Sequence, residues 1–90
     1  MSRKAEKLLE RMRQTKAGWK PNDLYSLYEG FGFIIKSGGS HDLVTHPDYP
    51  QLVTSLPRHK KLAKYVVGEA IKMVDRLKQL EQEQERSEDD

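Results

Sequence analysis

Between Phe33 and Leu56 the chain reads as three short alternating runs, FIIKS (33–37), HDLVTH (41–46) and QLVTSL (51–56), joined by links of three and four residues. A parallel pair needs a crossover of about a dozen residues or more, so strands linked this closely pair antiparallel with their neighbours in sequence. The first link carries Gly38 and Gly39, which supply the positive φ angles of a tight hairpin, and the second is PDYP, with Pro47 and Asp48 suited to the centre of a turn. A three-stranded antiparallel meander is the expectation, and the rest of the chain has to be placed around it.

Both flanks of the meander have helical periodicity. Ala5, Leu8, Leu9 and Met12 fall at i, i+3, i+4 and i+7 among Arg, Lys and Glu, the pattern of an amphipathic helix over 3–16, closed by Gly18. In WKPNDLYSLYEGFG, Pro21 suits the first helical position, which makes Lys20 the cap and puts Asp23 at the positive end of the helix dipole. Trp19 can then pack as a staple onto Leu24. Leu24, Leu27, Tyr28 and Phe31 form the buried stripe of this second helix, and Gly32 stops it. A last helix is expected from about Lys61 to Gln84. Its wide apolar face is made by Leu62, Val66, Val67, Ala70, Ile71, Met73, Val74 and Leu77, with Gly68 a weak point or a place of close approach. The order α-α-β-β-β-α defines an α+β fold, with the helices on one face of the sheet and the other face open to solvent or a partner.

Ninety residues support one core, so a functional site has to lie on its surface or at a contact with a partner. The domain is expected over 1–80, with 1–17 as an N-terminal helical part. No cysteine is present, which excludes a disulfide framework and the usual thiolate zinc sets. No stretch has the apolar length of a signal peptide core or a membrane span, so a cytoplasmic protein without membrane contact is the expectation. The net charge of +2 conceals an asymmetry. Residues 1–80 hold fifteen Lys or Arg against eight Asp or Glu, a balance of +7, while 81–90 hold one Arg against six acids, a balance of −5. A basic body points to a polyanion such as nucleic acid, and the polar tail EQEQERSEDD is expected to fray.

All three histidines lie between 41 and 59. Strand residues alternate between faces, so His41, Leu43 and Thr45 share one face and Asp42, Val44 and His46 the other. Asp42 is therefore badly placed to orient its neighbour's ring. A Ser-His step directly after two glycines can offer backbone N–H groups and a hydroxyl to a phosphate, beside an imidazole whose ordinary pKa near 6.5 suits general acid–base work. The plainer readings are a surface histidine beside an ordinary Gly-Gly-Ser turn. His46, just before Pro47, reads as a turn residue. His59 sits among Arg58, Lys60, Lys61 and Lys64 at the entry to the last helix, a footprint for phosphates or simply a solubilising cluster. His41, His46 and Asp48 are close in sequence, but the two imidazoles point to opposite faces, so no metal site is expected.

A helix ending in GFGF, a strand, GGSH, a strand ending THP, a strand ending LPRH, and a Lys-rich entry into a helix with YVVGEAIKMV together resemble the HicA-type toxins of toxin–antitoxin pairs. The resemblance covers about residues 4–80, with the first helix similar to an extension seen in part of that family. It implies a double-stranded-RNA-binding-like sandwich, RNA cleavage dependent on His41, a site shaped by Gly39 and Ser40, and a HicB-type antitoxin that covers the active face. It also makes His59 and its lysines an RNA contact. One departure is Asp42, where family members often carry a second histidine or an aromatic residue. A carboxylate near a phosphate path is repulsive, although its place on the other sheet face limits the effect.

The resulting expectation is a cofactor-free, metal-independent endoribonuclease acting on messenger RNA. His41 serves as general acid or base, and Lys36, Lys60 and Lys61 hold phosphates. Two alternatives remain beside it: an RNA-binding module or inactive family member using the same basic face without cutting, which needs no titrating imidazole, and a protein-interaction domain whose charges only manage solubility.

Overall fold

The computed structural model describes residues 3–57 and 63–89. Helix α1 (Arg3–Gln14) and helix α2 (Pro21–Gly30) precede strands β1 (Ile34–Gly38), β2 (His41–Thr45) and β3 (Val53–Pro57), and helix α3 (Lys64–Asp89) closes the chain. The sheet order is β1-β2-β3, antiparallel throughout, with Lys36 opposite Leu43 and Leu43 opposite Ser55. The expected meander is therefore present, with β1 and β3 each displaced toward the C-terminus by one or two residues.

Helix α2 is bounded by local chemistry that the sequence displays. Pro21 opens it, and the Asp23 carboxylate accepts the backbone N–H of the cap residue Lys20 at 2.9 Å. Lysine has no acceptor to return the bond, so only this half of a capping box forms. At the other end Gly32, at φ +90°, lets Phe33 N–H reach Tyr28 C=O (3.0 Å) and Gly32 N–H reach Glu29 C=O (3.1 Å), the paired bonds of a Schellman closure. The edge-on contact of Phe33 with Tyr28, 5.2 Å between ring centres, completes the motif and aims β1 back along the helix.

Parity along the strands decides what is buried. Val44 and Leu56 face the helices within the core, whereas Ile34, Leu43 and Val53 are about half exposed on the opposite, bare face. Helix α1 is built into the same core through Ala5, Leu9 and Met12, and two ion pairs tie it to α3. Lys78 Nζ lies 2.7 Å from Glu6, and the Arg13 guanidinium grips both oxygens of Asp75. The first helix is thus a structural part of the domain.

Helix α3 continues beyond the expected end at Gln84 to Asp89, and the Tyr49 hydroxyl donates to Gln84 Oε1 at 2.7 Å. Glu, Gln and Arg are strong helix formers, so a segment polar on every side extends a helix already nucleated by its packed turns. No helix among the described residues is long and apolar enough to cross a membrane.

Candidate functional site

The β1–β2 hairpin turns on Gly39 and Ser40. Only Gly39 takes a positive φ, +47°; Gly38, expected to share that role, instead pairs with His41 as the last residue of β1. A positive φ confined to the first turn residue suits a type II′ hairpin, which matches the twist of the strands. His41 follows as the first residue of β2, exposed, with Ser40 Oγ 3.1 Å from its Nδ1. That contact engages Nδ1 and orients the ring.

Three of the residues singled out in the sequence gather here. Gly39 and Ser40 make the turn that presents His41, and Lys36 is exposed on the same bare face. Lys36 is diagonal to His41 across the β1–β2 pair, a separation of about 7–8 Å between such backbone positions. His59, Lys60 and Lys61 lie outside the described residues. His46 takes the opposite face: it is 7% exposed, packs edge-on against Phe33 at 5.0 Å, and accepts the backbone N–H of Asp48 on Nδ1 at 3.1 Å. It is a turn and core residue, on the face opposite His41.

Asp42 is also accounted for. It is 2% exposed on the helix-covered face, where the Tyr25 hydroxyl donates to its carboxylate, beside a shallow cleft shared with Glu29, Ile35 and Ser37. A phosphate crossing the bare face would not meet it.

What the sequence did not reveal is the company His41 keeps. Where the start of α3 passes edge strand β3, a cleft of ≈ 350 Å³ is lined by His41, Tyr28, Thr54, Ser55, Tyr65 and Glu69, with Leu56 and Val66 as its apolar floor. Tyr65 is 76% exposed, and Glu69, one helical turn on, faces the same side. Burial, reinforced by the negative charge of Glu69, holds the Tyr28 phenol well above its ordinary pKa, so it stays a protonated donor. The only signal available in advance was the i, i+4 spacing of Tyr65 and Glu69 off the apolar stripe of α3; nothing local linked them to a histidine more than twenty residues earlier.

These features define a small α+β domain: a three-stranded antiparallel sheet, one face packed against helices, the other bare, with an exposed imidazole at the mouth of a polar cleft. No family model, curated protein or solved structure matches the chain.

Proposed function

We propose that this chain is a HicA-type toxin with a double-stranded-RNA-binding-like fold, an endoribonuclease that cleaves messenger RNA with His41 as its acid–base group and is restrained by a HicB-type antitoxin. The observation that carries the reading is the contrast in how the domain uses its imidazoles. His41 is exposed, oriented by Ser40 and set at a cleft, while His46 is spent on packing. The inward turn of Asp42 supports activity, because it removes the one visible obstacle to a phosphate beside His41.

In this reaction neutral His41 takes the proton of a ribose 2′-hydroxyl as O2′ bonds to the adjacent phosphorus. The P–O5′ bond breaks, its electron pair stays on O5′, and water supplies the proton that completes the 5′-hydroxyl; the other product is a 2′,3′-cyclic phosphate. Lys36 on the bare face offsets the charge that builds on the phosphoryl oxygens, a role extended by Lys60 and Lys61. One acid–base group contributes only about 10²–10⁴-fold, so the enzyme is slow, which suffices for a toxin whose substrate is messenger RNA. The half-exposed row of Ile34, Leu43 and Val53 gives an antitoxin an apolar surface next to the site.

Induced expression of the wild-type chain and of His41→Ala, with growth and total RNA followed in each, tests the proposal. Growth arrest with RNA loss in the wild type alone is the expected result. Equal RNA integrity in both, with both proteins folded, would discard the nuclease in favour of a non-cutting RNA-binding module.

A further inference from the structure

The cleft beside His41 has more chemistry than an acid–base step needs. Tyr65, 76% exposed, stands at the mouth of the cleft with Glu69 one turn behind it, and presents a flat aromatic face on which a planar partner can stack. Nucleobases in single-stranded RNA are recognised in just this way, by stacking on an aromatic ring and by hydrogen bonds to the base edge. Resting on the ribonuclease reading, we infer that Tyr65 and Glu69 form a pocket for one unpaired base, and that the base preferred is guanine.

The preference follows from the acceptor set. An ionised carboxylate only accepts hydrogen bonds, and among the four bases guanine alone presents two adjacent donors, N1–H and the N2 amino group, to its two oxygens. Adenine and cytosine offer one amino group flanked by a ring acceptor, and uracil offers one N–H between two carbonyls, so each sets a lone pair against the second carboxylate oxygen. Glu69 lines the cleft as an exposed side chain, near enough for its charge to act on the buried Tyr28 phenol. Ser55, on the same sheet face as His41, supplies a hydroxyl for the ribose, while Thr54 lines the cleft from the helix-covered side. Lys36 and Tyr65 flank His41 from opposite sides, because β1 and β3 lie on opposite sides of β2. A strand crossing the sheet then puts a phosphate by Lys36, the reacting ribose at His41 and the read base on Tyr65.

The test uses the full chain with 2′-O-methyl trinucleotides UGU, UAU and UUU, which bind but cannot be cut, titrated by NMR, alongside cleavage-site mapping on unmodified RNA. UGU should bind about tenfold more tightly than UAU or UUU. Tyr65→Ala should weaken all three about tenfold, and Glu69→Gln should erase the UGU advantage without weakening UUU. Both side chains are exposed, so neither variant threatens the fold. Equal affinity for the three probes, or a uniform tightening by Glu69→Gln that keeps their ratio, would overturn the guanine pocket and show Glu69 to be only a repulsive charge. Guanine-selective binding with no cleavage would keep the pocket and sink the ribonuclease. Cleavage without guanine bias at the mapped sites would do the reverse, and no binding of any probe together with no cleavage would remove both.

Discussion

His41 and His46 stand five residues apart, one opening strand β2 and the other just past its end, and lead opposite lives. The first is exposed on the bare face beside a cleft; the second is buried against Phe33 and Tyr49 and locked by the Asp48 amide. The residue type is the same, and His46 directly follows the strand that His41 opens. An odd spacing along an extended chain of period two puts one imidazole in the solvent and the other in the core. That division can be broken by experiment if either histidine is found doing the other's work.

The largest effect belongs to His41→Ala, which should lower RNA cleavage by about 10²–10⁴-fold while leaving the thermal midpoint unchanged. A stable His46→Ala variant with the same loss of cleavage would erase the contrast. In its place His46→Ala should cost about 2–3 kcal/mol in denaturant unfolding, through the vacated ring volume and the lost turn hydrogen bond. Gly32→Ala probes the same corner from the helix side. A Cβ there would sit 3.2 Å from His46 Nε2 on a backbone at φ +90°, so a loss of about 1–2 kcal/mol is expected in the same assay, with cleavage intact in the folded fraction.

Two smaller effects sharpen the picture away from the histidines. Tyr25→Phe removes a donor to the buried Asp42 carboxylate and should cost about 1 kcal/mol, again without altering cleavage by the folded protein. The last concerns pH. The hydrogen bond from Arg13, aided by its charge, holds Asp75 below the usual carboxylate range. A depressed folded pKa means stability present above the ordinary value of about 3.9 and lost as pH falls through the lower folded value. Because both side chains are more than a third exposed, screening keeps the contribution below about 1 kcal/mol. Asp75→Asn should flatten that part of the acid limb in a stability-versus-pH profile; an unchanged limb would show the α1–α3 pair to be energetically idle.

Local chemistry made much of this molecule readable in advance. Pro21, Asp23 and Gly32 mark the ends of α2 because caps and left-handed closures depend on a few adjacent residues. The opposed faces of His41 and Asp42 follow from counting along one strand. Other features were misplaced for equally physical reasons. Gly38 pairs with His41 in the ladder instead of turning, since a two-residue turn needs a positive φ only at Gly39. The last helix was expected to end near Gln84, yet its helix formers carry on from packed turns to Asp89.

What the sequence by itself determined was order and parity: two helices, a meander with histidines on alternate faces, and a long final helix. It did not determine which parity would be buried. Each strand run carries adjacent apolar residues, Ile34 with Ile35, Leu43 with Val44 and Leu52 with Val53, so either face of the isolated sheet was fit to be a core. Only the docking of α2 and α3 chose between them, burying Val44 and leaving Leu43 bare. The same docking brought Tyr65 and Glu69 to His41, a meeting that spacing along the chain does not encode, because burial energy accrues to whole faces and fixes distant neighbours only once those faces have met.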